Sequence, residues 1–133
     1  MPATSPALSP AQALRVAGFA LLLWFSGAVL IWLTIPLGVF SGGWLTVLAF
    51  AMGVVINPPT IWLVRRLGGL RREQTVFGMA LGSAVAIICD GMAITWAPWL
   101  YGGLSPDLHR AAAWLLWTVG FGLLAAFLAE RRG

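Results

Sequence analysis

Apolar residues in this chain run together in long blocks instead of alternating with polar ones. Four blocks stand out, Leu14 to Ile35, Trp44 to Val64, Gln74 to Ala97 and Ala111 to Ala129, and nearly all charged residues lie between or beyond them. Each block falls within the roughly 17–25 residues that a helix needs to cross bilayer hydrocarbon. A barrel strand would alternate apolar and polar positions, so helices are the spanning structures expected here. The pattern predicts an all-α integral membrane protein, an antiparallel bundle of four transmembrane helices over residues 13–133. A short disordered arm is expected at 1–12, where Pro, Ser and Ala dominate. The first apolar block is longer than the 7–15 residues of a cleavable signal, which predicts a retained membrane anchor.

Composition strengthens that picture. Hydrophobic residues make up 60% of the 133 and charged residues 9%, against about 25% charged in soluble domains. The bilayer is therefore the expected solvent and first partner. The net charge of +4 comes from eight arginines and four acids. Because these charges sit at block edges, they read as topology signals, with no nucleic-acid partner expected. Arg15, Arg65, Arg66, Arg71, Arg72, Arg131 and Arg132 fall on one side of a four-span topology, and Arg110 falls on the other beside Asp107. The positive-inside rule then predicts cytoplasmic N- and C-termini. Trp32, Trp44, Trp96, Trp99 and Tyr101 gather near the predicted outer interface, where amphipathic rings settle. With one cysteine, Cys89, and one histidine, His109, no internal disulfide, metal site or other cofactor is expected.

Candidate chemistry starts from Asp90, the one acid inside a predicted span. A rise of about 1.5 Å per residue puts it roughly 10 Å below the outer hydrocarbon boundary. An ionised carboxylate at a bilayer centre costs about 2.5–3.5 kcal/mol, so Asp90 should be protonated, paired or in a wet cavity. It is either a proton or cation site or a hydrogen-bonded packing element. Thr46, Thr118, Trp114 and Trp117 are the partners within expected reach, and Thr118 joins the candidate polar site with Asp90 and Asn57.

Gly78, Gly82, Ala86 and Asp90 recur every four residues, and Gly78 to Gly82 forms a GxxxG pattern. Small residues at that spacing let helix backbones approach closely, and packing on a neighbouring helix of the same chain is preferred over a dimer interface. In the second span, Asn57-Pro58-Pro59-Thr60 should kink the helix, because each proline removes a donor and crowds the preceding turn. Freed carbonyls there can line a binding site, but a static kink satisfied by Thr60 or a neighbouring helix is preferred. Depth places Asn57 in the inner half and Asp90 in the outer half, which predicts separate sites.

The Arg65–Glu73 loop can attract anionic lipid, although a topology role suffices. Ser105 and Pro106 are expected to cap and start the fourth helix. Pro36 and Pro98 each end an odd-numbered span, a faint sign of duplication.

The second half resembles an uncharacterised family of small bacterial four-helix membrane proteins, known as a domain of unknown function. The likeness covers roughly residues 60–128. It rests on Asp90 at the end of an apolar run, Pro98-Trp99-Leu100-Tyr101, Leu104-Ser105-Pro106, and Ala113-Trp114-Leu115-Leu116-Trp117 with Gly120 beyond. In that family the acid often follows Leu-Leu and a Pro-Gly pair, whereas here Ile87-Ile88-Cys89 precedes it. The resemblance implies a four-helix fold in the bacterial cytoplasmic membrane and no particular activity.

No nucleotide loop, metal constellation or nucleophile with an attendant base is recognisable, so no enzymatic activity is expected. The leading expectation is a non-catalytic accessory subunit or scaffold, with a membrane-protein partner or as a homo-oligomer. The alternative is a small proton- or cation-coupled transporter using Asp90.

Overall fold

The computed structural model describes residues 5–132. Five α-helices follow in order: α1 Pro10–Thr34, α2 Trp44–Val55, α3 Asn57–Gly68, α4 Thr75–Trp96 and α5 Pro106–Arg131. Short 3-10 turns at Ile35–Leu37 and Pro98–Tyr101 follow α1 and α4, each opened by the expected proline and closed by a glycine with positive φ, Gly38 or Gly102. Four stretches, Pro10–Leu37, Trp44–Gly68, Arg72–Trp96 and Pro106–Arg131, are long and apolar enough to cross a membrane. Their outward faces are apolar as well: Leu22, Val47, Ile88 and Leu116 are 62–70% exposed. In water each such side chain would forgo about 1.5–3 kcal/mol of burial. The exterior of these four stretches is thus apolar enough to suit a bilayer.

Helix ends extend beyond the apolar blocks, because hydropathy marks the hydrocarbon-matched part of a helix and capping chemistry marks its termini. α1 starts at Pro10, inside the arm expected at 1–12. The Ser9 side chain accepts from the Gln12 N–H while the Gln12 side chain accepts from the Ser9 N–H, a reciprocal capping box with proline at the first helical position. Just upstream, the carbonyls of Ser5 and Ala7 accept from Arg71 and Gln74 side chains. Residues 1–4 of the expected arm lie outside the described residues. α5 starts at Pro106 after Ser105, as expected, although the Ser105 hydroxyl makes no capping bond.

The second span is two helices. Pro58 and Pro59 lack the amide protons that would continue the ladder, and the chain breaks at Ile56. The Thr60 hydroxyl donates to the Ile56 carbonyl at 2.8 Å, and the buried Asn57 amide donates to the carbonyls of Gly53 at 2.9 Å and Thr118 at 3.1 Å. Through Thr118 these bonds tie the break to α5. α2 runs along α5, α3 packs on α1, α4 and α5, and α1 lies mainly along α4.

At one end of the bundle the starts of α1 and α4 meet the ends of α3 and α5. Gly69, at φ +64°, closes α3 with the Leu70 N–H bonded to the Arg65 carbonyl and the Gly69 N–H to that of Arg66. That turn aims Leu70 back into the core against Gly78, with Val64 alongside. Gln12 and Gln74 exchange two amide hydrogen bonds at 3.1 and 3.0 Å, and Gln12 also donates to the Gly69 carbonyl. Val16, Ile61, Val64, Leu70, Met79 and Ala126 form the core of this end. At the other end, Ala28, Ile31, Phe40, Tyr101, Ala111 and Trp114 form a second core. The hydrophobic interior is therefore split in two.

The small-residue face of α4 packs within the chain. A Cβ added at Gly82 would stand 3.6–3.7 Å from Val16 and Ala20 of α1, ordinary contact, whereas one at Gly78 would collide with Leu70. Gly78→Val is expected to destabilise the protein by about 1–3 kcal/mol through overpacking. The same change at Gly91, where nothing lies within 4 Å, should cost far less. Equal melting temperatures for the two variants in detergent would contradict this packing.

Candidate functional site

Between the two cores the bundle is hollow. A cavity of about 260 Å³ reaches from Val16 and Val64 at the arginine-rich end to Trp24 and Asp90 towards the other. Its walls come from α1, the start of α3, the middle of α4 and the middle of α5. The side next to the Ile56 break is flanked by half-exposed Leu30 and Ile56, so the cavity opens sideways between α1 and that break. Almost all of the lining is apolar. Its polar groups are few: Asp90, Asn57, Thr118, Ser83, and Ser26 and Thr60 near the opening.

Asp90 is positioned from three elements. It sits on α4, and Tyr101 in the turn after α4 donates its hydroxyl to the Asp90 carboxylate. Trp24 of α1 donates to that same hydroxyl oxygen at 2.9 Å. Tyr101 is fully buried, held by a turn in which Gly102 and Gly103, both at positive φ, bond back to Trp99 and Pro98. The relay runs from indole to phenol to carboxylate and fixes one carboxylate oxygen. No basic residue lines the cavity, so the carboxylate's remaining capacity faces a space without a protein counter-charge. Burial first, then the hydrogen bond to Asp90, raise the Tyr101 phenol above its ordinary value of 10.0. Tyr101 therefore stays protonated and remains the donor.

Compared with known proteins, the chain matches no family model, no curated sequence and no solved structure.

None of the partners expected for Asp90 bonds to it, and three of the four are engaged elsewhere. Trp114 and Trp117 donate to the carbonyls of Ala49 and Phe50 at 2.8 and 2.9 Å, tying α5 to α2. Thr46 donates to the Val39 carbonyl. Thr118 offers its backbone carbonyl to Asn57, and its hydroxyl is buried without a hydrogen-bond partner. The actual partner, Tyr101, is the chain's single tyrosine and lies just beyond the span. Its interfacial position suggested an anchor, whereas the turn at Pro98 folds it inward. The expected separation of Asn57 and Asp90 is also corrected: they do lie at different depths, but one elongated cavity reaches both. Ala86 and Gly82 line that cavity, with Gly82 also beside Val16 and Ala20, and Gly78 lies against Leu70. Among the described residues, no three of His, Cys, Asp and Glu gather as metal ligands.

A raised phenol stabilises the fold at every pH below its unfolded value near 10 and loses that contribution as the pH climbs beyond it. The single tyrosine makes this directly readable. Phenolate absorbance of the folded protein should appear only well above pH 10, and near pH 10 after unfolding in denaturant. Titration near pH 10 in the folded state would remove Tyr101 from its place beside Asp90. Tyr101→Phe should lower stability by about 1.5–3 kcal/mol, the range for a hydrogen bond to a charged group.

Proposed function

We propose that this chain is an integral protein of the bacterial cytoplasmic membrane, an antiparallel four-span bundle with both termini cytoplasmic, and that it works as a small proton-coupled carrier. The arginine distribution supports the orientation, with Arg110 alone at the end opposite the other seven. The observation that carries the function is the hollow between the two cores, which joins Asp90 to Asn57 and opens sideways at the helix break. A scaffold has no need of an interior cavity with a carboxylate at one end. Closing it with larger side chains would add the packing contacts that stabilise membrane helices.

In this reading a small lipophilic cation enters from the bilayer between α1 and the Ile56 break. The apolar walls take its hydrocarbon part, and Asp90 takes either the cationic centre or a proton, but not both. Mutually exclusive occupancy of one carboxylate couples the two movements. Tyr101 and Trp24 orient the carboxylate, and the Ile56–Asn57 break is the place where α2 and α3 can pivot. No covalent chemistry is involved.

The test is transport in vesicles containing the purified protein and a trapped pH indicator. An imposed gradient of benzyltrimethylammonium should drive counterflow of protons. Asp90→Asn should slow it by about tenfold or more, the loss expected when a charge-assisted contact is removed, while the variant still purifies as a folded bundle. Equal flux in wild type, Asp90→Asn and protein-free vesicles would return the scaffold reading to first place.

A further inference from the structure

A second concavity lies on the outside of the bundle, between α3 and α5 at the arginine-rich end, and belongs to none of the groups around Asp90. Its volume is about 410 Å³, its floor is made by Ile61, Trp62 and Leu128, and Arg65 and Arg132 stand at its margins. Arg65 also borders an adjoining hollow with Trp62, Arg66 and Leu70. The groove thus combines an apolar trough with guanidinium groups at one end of it.

Neither Arg65 nor Arg132 forms an ion pair among the described residues. The Nε of Arg65 is buried and has no hydrogen-bond partner among the described residues. Of the nearby acids, Glu73 pairs with Arg71 at 2.9 Å, and the Glu130 carboxylate accepts from the Val76 N–H at 3.3 Å. Arg72 and Arg71 donate to backbone carbonyls of Glu130 and Ser5. The Arg66 guanidinium stands 5.4 Å over the Trp62 ring, which stiffens that wall and keeps its charge beside the groove.

We propose that this groove holds one anionic phospholipid, with its phosphate between Arg65 and Arg132 and an acyl chain along Ile61, Trp62 and Leu128. The shape asks for an amphiphile, and the charge asks for an anion. Guanidinium is the side chain best matched to phosphate oxygens. Headgroup charge is the discriminating feature. Phosphatidylcholine brings the same phosphate but also a quaternary ammonium, which two or three neighbouring arginines repel. Phosphatidylglycerol brings no such cation. Bound there, the lipid would bridge α3 to α5 at the cytoplasmic end, below the break that separates α3 from α2.

Trp62 is the reporter. The full chain is placed in phosphatidylcholine vesicles containing a low fraction of brominated phosphatidylglycerol, and the Trp62 signal is isolated by subtracting quenching in a Trp62→Phe variant. Brominated phosphatidylglycerol should quench Trp62 at about tenfold lower mole fraction than brominated phosphatidylcholine, as two basic contacts near the surface imply. Arg65→Gln combined with Arg132→Gln should abolish that preference. Arg15→Gln, at the same end but outside the groove, should keep it. Equal quenching of the wild type by both lipids would overturn the site, and that comparison needs no arginine variant. Loss of the preference to the same degree in Arg15→Gln would overturn it too, by reducing the effect to diffuse surface charge. Relief of quenching by millimolar inorganic phosphate would also overturn it, by assigning the arginines to a free anion.

Discussion

Two adjacent peptide nitrogens without protons, at Pro58 and Pro59, set the form of the whole bundle. A continuous helix through residues 44–68 would lie against its neighbours over its full length. The prolines interrupt that ladder, and a new helix starts at Asn57. Side chains make the interruption affordable in an apolar setting: Asn57 reaches the carbonyls of Gly53 and Thr118, and Thr60 reaches that of Ile56. Tight clearance around Asn57 shows how closely the break is fitted, since a Cβ at Gly122 would lie 2.7 Å from its Oδ1. α2 packs on α5, whereas α3 packs on α1, α5 and α4.

The hollow persists because each end of the bundle is closed separately. At the arginine-rich end the Gln12–Gln74 amide pair and Leu70, turned inward by Gly69, lock the start of α4 to α1 and α3. At the other end, Tyr101 is wedged into the second core and joins α1 to α4 through Trp24 and Asp90. Both closures use hydrogen-bonded polar groups beside an apolar core, where an unmatched group is costly. The middle is held by neither.

The inner and outer polar features also divide by audience. Asp90, Asn57 and Thr118 face the interior, whereas Arg65 and Arg132 border an exterior groove. An anionic lipid there and a cationic guest within would be kept apart by the thickness of α3 and α5.

Much of this architecture was legible in the chain. The four apolar blocks determined four helices long and apolar enough to cross a membrane, because a helix satisfies its own backbone and needs only length and hydropathy to do so. The proline pair announced the break, and the glycine spacing on α4 announced a close approach by a neighbour. The Ser9–Gln12 capping box was written there as well, but its polar residues resemble a loose arm when hydropathy alone is read. Which groups meet was not legible. Thr46, Thr118, Trp114 and Trp117 all stood within plausible reach of Asp90, and the choice of Tyr101 depended on a turn at Pro98–Gly103 folding it inward. Depth along a helix gave Asn57 and Asp90 different levels, yet a cavity is a property of the space that several helices leave between them. Local sequence thus determined where helices start, stop and break; only the tertiary structure decided which faces meet, because contact between distant residues is fixed by the relative placement of whole helices and not by any one of them.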